Sequence, residues 1–367
     1  MNHSTERESL ANKNKKLVYF DYLRVLAGLA VVLLHVACIS SYNFDTRSWG
    51  WVVSKFYEGI TEWAVPIFVM ISGALFLSRE IDTKKLYTKY ILKLVVAYFA
   101  WSSFYIAVVP IVKHLFVKNS PISLTSILGH IIGGEYHMWF LPMIIGLYMT
   151  VPVLKEIIRS NKTIKYFMTV SFVFAFLFPQ VVTMSNDFIG GLFATGLNEI
   201  EVLINDHAQL HFFIGFPFYF VLGYVLNKTD LSIKHRKYIY ILGVIGFLST
   251  VTLNTVSAWK ANTPSETYFD AFRINVLLEV VALHTWFKYK GYQHIKLNAI
   301  VSALAKYSFG TYLIHIFIIR LLADIGMSTL ICSPILSVPI IFIVAAAISY
   351  VASWVLNKVP VLKKWIV

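Results

Sequence analysis

Arg24 and His35 are the residues of this sequence whose types and spacing most directly suggest chemistry. Both lie within a long apolar segment, eleven positions apart. Ionisable side chains at membrane depth are costly unless they face a polar cavity or a partner, so they mark functional sites by default. Eleven residues of α-helix return the second side chain to within about 20° of the first, about 16 Å along the axis. The pair is predicted to line one cavity at two depths.

A structural explanation of the same pair stays open. An arginine near a helix end often extends to the lipid headgroups, and a single histidine often only packs against its neighbours. The two explanations differ in whether His35 faces a polar cavity or lipid.

The composition indicates an integral membrane protein. Of the 367 residues, 57% are hydrophobic and only 14% are charged, and the mean hydropathy is +0.67. Runs of about 20 apolar residues, the length that crosses a bilayer, recur along the chain. We predict an all-α, polytopic bundle of ten spans, near residues 17–39, 60–78, 90–112, 137–154, 164–183, 210–227, 238–257, 268–287, 299–323 and 332–356.

The net charge of +13 is distributed as in a membrane protein, and it gives no reason to expect a nucleic-acid partner. Basic residues gather before span one and after spans two, four, six, eight and ten, whereas the loop between spans five and six is acidic. This alternation is the positive-inside pattern, which places both termini in the cytoplasm. The predicted domain is residues 17–356, between cytoplasmic tails 1–16 and 357–367.

The first apolar segment is expected to remain in the mature protein, because it contains an arginine and no small-residue cleavage pattern follows it. The two cysteines, Cys38 and Cys332, provide neither a disulfide framework nor metal-ligand spacing. No metal is therefore expected.

Four histidines are predicted to lie in the outer half of the bundle. His35 and His315 reach similar depths in spans one and nine, while His137 and His211 open spans four and six from outside. For His211, packing at the membrane interface is the simpler interpretation.

Glu279 lies near the middle of span eight and cannot stay ionised there without a partner. Arg24 and Arg273 are the two candidates. Arg273 is six residues away and on a different helix face, which favours Arg24. Without a partner Glu279 is expected to be protonated.

Lys85, Lys89 and Lys93 recur every four residues at the cytoplasmic end of span three. On an α-helix they form one basic stripe, which suits a phosphate-bearing ligand. Binding of lipid headgroups explains most such stripes equally well.

Four motifs, in order along the chain, resemble those of one family of membrane enzymes. They are Arg24 with His35, the segment 65–73 with Ser72, the Trp139-Phe-Leu segment that follows His137, and the segment 307–315 with Tyr312 and His315. Together they are similar to the acyltransferase-3 family of integral membrane acyltransferases. Lys89 and Lys93 stand where the family commonly carries arginines, which keeps the charge but loses bidentate phosphate geometry.

The resemblance implies transfer of an acyl group, usually acetyl from acetyl-CoA, to a hydroxyl or amine of a cell-envelope glycan or related acceptor, at the bacterial cytoplasmic membrane. It implies that His35 and Arg24 are catalytic and that Lys85, Lys89 and Lys93 bind acyl-CoA. Imidazole suits a base because its ordinary pKa is about 6.5, whereas arginine stays protonated. The supporting residues would be Glu279, His137, Trp139, His315, Tyr312 and Ser72.

Two other functions stay open. Buried Arg, Glu and His side chains could couple protons to the movement of an envelope precursor or an amino acid, although the sequence lacks paired Gly/Pro-broken helices. A membrane scaffold would give Arg24 and His35 no purpose. The sequence leaves the acceptor, the acyl length and formation of a homo-oligomer undetermined.

Overall fold

The computed structural model of this chain describes residues 3–116, 131–208, 210–292 and 295–367. Regular structure in these residues is entirely helical, which confirms the all-α prediction. The longer helices are α1 (His3–Ser41), α2 (Trp49–Gly59), α3 (Ala64–Leu77), α4 (Leu92–Phe116), α5 (Phe140–Ile157), α6 (Asn161–Phe172), α7 (Phe178–Met184), α8 (Gly191–Val202), α9 (Pro217–Lys228), α10 (Ile233–Ala261), α11 (Ile274–Tyr289), α12 (Ile295–Asp324), α13 (Pro334–Leu356) and α14 (Pro360–Trp365).

Eight helical segments in the described part of the chain are long and apolar enough to cross a membrane. They overlap eight of the ten predicted spans and confirm a polytopic helical bundle. The segments are Val18–Ile39, Trp49–Leu77, Thr83–Ala107, Tyr136–Ile157, Asn161–Ile189, Ile233–Ala261, Ile295–Asp324 and Pro334–Leu356.

The predicted spans six and eight contain shorter helices. α9 has 12 residues and α11 has 16, whereas a crossing needs roughly 20. The loop predicted between spans three and four lies largely outside the described residues. The total of ten spans and the cytoplasmic position of both termini therefore stay predictions.

The chain divides into two compact units. Unit 1 comprises residues 1–79 and 153–305, and unit 2 comprises residues 80–152 and 306–367. The predicted residues Arg24, His35, Ser72 and Glu279 belong to unit 1. The three stripe lysines, His137, Trp139, Tyr312 and His315 belong to unit 2.

In unit 1, α1 packs against α2, α3 and α11, and α10 lies along α11. The contact between α10 and α11 requires a glycine at position 246 of α10. A Cβ at Gly246 would lie 2.5 Å from the Asn275 carbonyl oxygen of α11. The backbones of the two helices are therefore in direct contact, which holds the polar side chains between them at fixed positions.

The second span is two helices, because α2 ends at Gly59 and α3 begins at Ala64. Side chains in the break donate hydrogen bonds to backbone carbonyls at the end of α2, which have no partner within the helix. Thr61 Oγ1 donates to the Glu58 carbonyl at 2.6 Å, and Trp63 Nε1 donates to the Ile60 carbonyl at 2.7 Å. Pro66 then lies in the first turn of α3, where its missing N–H costs no hydrogen bond. The candidate span Trp49–Leu77 is therefore interrupted between Gly59 and Ala64.

Candidate active site

One face of α1 carries the predicted catalytic pair. The helix runs without interruption through Arg24 and His35, so both side chains lie on one face, about 16 Å apart along the axis. Both residues are half-buried. Asp21 lies one turn before Arg24 on this face, and Cys38 lies one turn after His35.

Arg24 is held by a carboxylate on its own helix. Its Nη1 donates to Asp21 Oδ1 at 3.0 Å, and Ser302 Oγ of α12 donates to Asp21 Oδ2 at 2.7 Å. Among the described residues this ion pair occupies one of the five N–H donors of the guanidinium group, and 34% of the side chain is exposed. The remaining donors are available to an anionic or carbonyl ligand.

An aromatic contact fixes α12 beside Asp21. The Tyr22 hydroxyl donates to Asn298 Oδ1 at 3.0 Å, and Asn298 Nδ2 donates to the Tyr292 carbonyl at 3.2 Å. The rings of Tyr22 and Tyr292 lie 4.9 Å apart. Burial, reinforced by Tyr22, raises the pKa of Tyr292, so its hydroxyl stays protonated and donates to the Phe287 carbonyl.

The predicted pairing of Glu279 with Arg24 is wrong. Glu279 is buried and accepts a hydrogen bond from Thr250 Oγ1 of α10. Arg24 instead pairs with Asp21, and Arg273 donates to Thr183 Oγ1 at 2.6 Å as well as to two backbone carbonyls. A neutral hydroxyl on the neighbouring helix satisfies Glu279, which a count of charges along the sequence cannot reveal.

A group of charged residues near the C-terminal end of α1, beside Cys38, was missed by the sequence reasoning. Lys55 Nζ donates to Glu58 Oε2 at 2.8 Å and to Glu266 Oε1 at 2.9 Å. Lys55 and Glu58 are almost fully buried, with 1% and 3% of their side chains exposed. Because span two was predicted to start at residue 60, these residues were taken to lie in a loop. Their spacing of three on α2 was the available signal.

In unit 2, the structure brings together two of the predicted histidines, His137 and His315. Their ring centroids lie 5.1 Å apart, edge to face, and both side chains are buried. The Tyr312 hydroxyl donates to the His137 carbonyl at 2.6 Å. His315 Nδ1 lies 2.5 Å from the Tyr312 carbonyl, so Nδ1 carries the proton and Nε2 is the basic nitrogen of the neutral ring.

The surroundings of this histidine pair are aromatic and ionic. Tyr105 packs against His137 at 5.4 Å between ring centroids and donates to the Leu313 carbonyl at 2.9 Å. Arg320 forms a bidentate pair with Glu135, at 2.9 and 2.8 Å. These bonds fix α12 beside the segment that carries His137.

The other predicted histidine, His211, and the predicted supporting residue Trp139 are both exposed. His211 belongs to unit 1, before α9. Of the four predicted histidines, His137 and His315 thus lie together within unit 2, and their position in the outer half of the bundle stays a prediction.

The three stripe lysines have different environments. Lys85 and Lys89 are exposed, whereas Lys93 is half-buried and its Nζ donates to the Val367 carbonyl oxygen at 2.8 Å. A π-helical turn, Leu86–Ile91, separates Lys85 from Lys93. The three lysines therefore differ in exposure, and their action as one phosphate-binding stripe stays a prediction.

Ser72 is half-buried in the middle of α3. The next residue, Gly73, touches the backbone of α9, where an added Cβ would overlap the Phe220 carbonyl oxygen. The Ser-Gly pair of the predicted motif therefore lies at a close helix crossing.

Comparison with known proteins identifies the family of this chain. The family model described as an acyltransferase domain, Acyl_transf_3, matches residues 17–356. An amino-acid racemase of Enterococcus faecalis is 25% identical over 255 residues, which make up 66% of this chain and 32% of the racemase. The chain thus spans about a third of that relative's length, and no solved structure matches. Since the family match covers nearly the whole sequence, the chain belongs to the acyltransferase-3 family, a family of membrane acyltransferases.

Proposed function

We propose that this protein transfers an acyl group, most simply acetyl, from cytoplasmic acyl-CoA to a hydroxyl or amine of a cell-envelope glycan or related acceptor. The observation that carries the proposal is the face of α1. On this face of one uninterrupted helix lie the half-buried His35 and Arg24, whose guanidinium group has N–H donors that the ion pair with Asp21 does not use. The proposed location is the bacterial cytoplasmic membrane.

His35 is the proposed general base. It accepts the proton of the acceptor hydroxyl while the oxygen attacks the thioester carbonyl carbon. Collapse of the tetrahedral intermediate breaks the carbon–sulfur bond, and the departing CoA thiolate takes the proton from the imidazolium. The products are the acyl ester and CoA, with no net proton released.

The distance along α1 assigns a different role to Arg24. About 16 Å of helix separates it from His35, which is too far for both side chains to touch one carbonyl group. If His35 acts at the thioester, Arg24 contacts a part of the donor remote from the reacting carbon. A phosphate suits the free N–H donors of its planar guanidinium group. Lys85, Lys89 and Lys93 are the proposed further phosphate contacts.

The test is a direct assay of acyl transfer. The purified protein in nanodiscs is supplied with acetyl-CoA and an envelope polysaccharide, and the polymer is analysed for an added acetyl mass. The proposal requires that mass with the unmodified protein and its loss in His35→Ala. Turnover of acetyl-CoA that His35→Ala does not reduce would contradict it.

Movement of an amino acid across the membrane is a second candidate function. The break between α2 and α3 supports it, because interrupted helices commonly form transporter sites. The name of the Enterococcus faecalis relative, an amino-acid racemase, also points to an amino acid. Uptake of radiolabelled amino acids into proteoliposomes without acyl-CoA, together with the absence of any acylated product, would favour this function over acyl transfer.

A further inference from the structure

Arg236, in the first turn of α10, is a cation without an acidic partner in the described part of the chain. Its guanidinium carbon lies 4.3 Å from the ring centroid of Tyr289, the last residue of α11. A guanidinium group stacks on an aromatic ring through its flat face, which leaves the N–H donors in its plane free. None of the described residues accepts a hydrogen bond from Arg236, although its Nε is buried. Because a buried donor without an acceptor is costly, this side chain suits an acceptor from outside the chain.

Hydrogen bonds fix the ring on which Arg236 stacks. The Tyr289 hydroxyl accepts from the Leu231 N–H at 2.5 Å, which ties the end of α11 to the loop before α10. Ser232 caps α10, since its Oγ accepts from the His235 N–H at 3.3 Å. The guanidinium group thus has a fixed wall on one side, and the N-terminus of α10 adds the positive end of a helix dipole.

The surroundings of the stacked pair carry an excess of positive charge. Segments 224–240 and 284–292 contain one acid, Asp230, and six lysine or arginine residues: Lys228, Lys234, Arg236, Lys237, Lys288 and Lys290. Asp230 is 96% exposed and lies 3.7 Å from Lys288 Nζ. Lys288 Nζ also lies 5.2 Å from the ring centroid of Tyr289. Two cationic groups therefore lie at one ring, and an anion would relieve their repulsion.

The length of α10 places Arg236 at the depth of lipid headgroups. The candidate span Ile233–Ala261 has 29 residues, or about 43 Å of helix, which equals the thickness of a bilayer with its headgroups, about 40–45 Å. Because the hydrocarbon core is about 30 Å thick, each headgroup layer measures about 5–8 Å. Arg236 lies about 4.5 Å from the start of the span and thus within this layer, where the phosphates of phospholipids lie.

We propose that Arg236, stacked on Tyr289, binds the phosphate group of an anionic phospholipid. The planar guanidinium group matches two phosphate oxygens. The surrounding lysines favour a lipid of net negative charge over a zwitterionic lipid. The inference is independent of the proposed acyl transfer, because binding of a lipid needs neither donor nor acceptor. A soluble phosphate compound such as CoA shares the chemistry, but the depth of the site favours a lipid.

The test compares phosphatidylglycerol, which is anionic, with phosphatidylcholine of the same acyl chains, which is zwitterionic. Each lipid is titrated into the purified protein in a mild detergent, and native mass spectrometry gives the fraction of protein that carries one lipid molecule. The unmodified protein is expected to bind phosphatidylglycerol about tenfold more tightly than phosphatidylcholine. Phosphatidylglycerol should also raise the midpoint of thermal unfolding more than phosphatidylcholine does.

Three variants separate a defined site from a diffuse positive surface. Arg236→Gln should weaken binding of phosphatidylglycerol by about tenfold, the factor that one charge-assisted hydrogen bond supplies. Lys237→Gln, at the exposed neighbouring residue, removes the same charge and should weaken binding by at most about twofold, since exposed charges are screened. Arg236→Lys keeps the charge, so it also covers the case in which glutamine disturbs the fold. It should still weaken binding several-fold, because lysine lacks the planar group.

Equal binding of the two lipids, or equal effects of Arg236→Gln and Lys237→Gln, would overturn the proposed site. Unchanged affinity in Arg236→Lys would overturn it as well, because a diffuse positive surface requires only the charge. In a further titration, CoA or inorganic phosphate is added at constant ionic strength, and neither should displace phosphatidylglycerol. Displacement would assign Arg236 to a soluble phosphate ligand and refute the lipid site.

Discussion

Gly73 of α3 lies directly against the backbone carbonyl of Phe220 in α9. An added Cβ would overlap that oxygen, and the reciprocal contact joins Gly223 of α9 to the Met70 carbonyl of α3. The obstacle in both cases is backbone, which cannot move aside as a flexible side chain can. The crossing of α3 and α9 therefore depends on the absence of a side chain at both positions.

Gly73→Ala is expected to destabilise unit 1 by about 1–3 kcal/mol, the typical cost of overpacking. The measurement is the unfolding midpoint in detergent or nanodiscs. Gly146→Ala is the matched control, because Gly146 lies at an exposed position of α5 where an added Cβ would meet open space; this change should gain about 0.5–1 kcal/mol from helix propensity. Equal midpoints for the two variants would refute the close crossing.

The pairing of Arg24 with Asp21, rather than with Glu279, is tested by a double-mutant cycle. Arg24→Gln and Glu279→Gln should have additive effects on the free energy of unfolding, within about 0.5 kcal/mol, because the residues share no partner. Arg24→Gln combined with Asp21→Asn should be non-additive. Coupling between Arg24 and Glu279 larger than this limit would restore the original prediction.

The catalytic proposal predicts that His35→Ala lowers acyl transfer by at least about 10²-fold, the smaller contribution typical of a general base. The unfolding midpoint should change little, because His35 is half-buried. Arg24→Lys should also lower the rate of acyl transfer, since the ammonium group of lysine cannot form the paired hydrogen bonds of a planar guanidinium group. Normal kcat and KM for acetyl-CoA in His35→Ala would exclude a role as base.

The sequence predicted the class of fold and most spans because long apolar segments have a strong compositional signal. It also predicted the shared face of Arg24 and His35, since that follows from the helical repeat alone. The start of the second span was missed because Lys55 and Glu58 are polar. Their spacing of three residues indicates the Lys55–Glu58 pair on a helix, but no local pattern reports the bond from Lys55 to Glu266, 211 residues away.

The partner of Glu279 was predicted wrongly for a similar reason. A charge inside an apolar segment suggests an opposite charge, but the tertiary structure supplied Thr250, which a search for charges overlooks. The stripe of lysines was derived from an ideal α-helix, and their spacing gave no sign that Lys93 is half-buried against the Val367 carbonyl. By contrast, the depth of each residue in its span predicted His137 and His315 in one half of the bundle, but their contact depends on the tertiary structure, which depth alone does not give.

Tyr312 links the two ends of the histidine pair in unit 2. Its hydroxyl donates to the His137 carbonyl, and its own carbonyl accepts from His315. Tyr312→Phe removes the hydrogen bond to the His137 carbonyl and keeps the bond from His315. The buried His137 carbonyl then lacks its donor, which should lower the free energy of unfolding by about 1–3 kcal/mol. The unfolding midpoint should fall accordingly, whereas Tyr87→Phe, at an exposed ring of the same unit, should leave it unchanged. A midpoint unaffected by Tyr312→Phe would show that the bond does not contribute to stability.

The last prediction separates donor binding from lipid binding at the lysines. Lys89 is exposed, so Lys89→Gln should remove a charge without disturbing the fold. If Lys89 binds a phosphate of acyl-CoA, the KM of this variant for acetyl-CoA should rise several-fold. The value of kcat should change less, because a contact remote from the reacting carbonyl stabilises ground state and transition state alike. Added salt should raise the KM of the unmodified protein in the same way, since exposed charges are screened over about 8–10 Å.

Lys93→Gln provides the contrast within the same stripe. Because Lys93 Nζ donates to the Val367 carbonyl, its substitution should also lower the unfolding midpoint, which Lys89→Gln should not. The control is Lys165→Gln, at an exposed residue of α6, which should affect neither property. Acetyl-CoA titrations and thermal unfolding of all three variants in nanodiscs give both quantities. If the lysines bind only lipid headgroups, Lys89→Gln will leave the KM for acetyl-CoA unchanged, and the stripe is then excluded from the donor site.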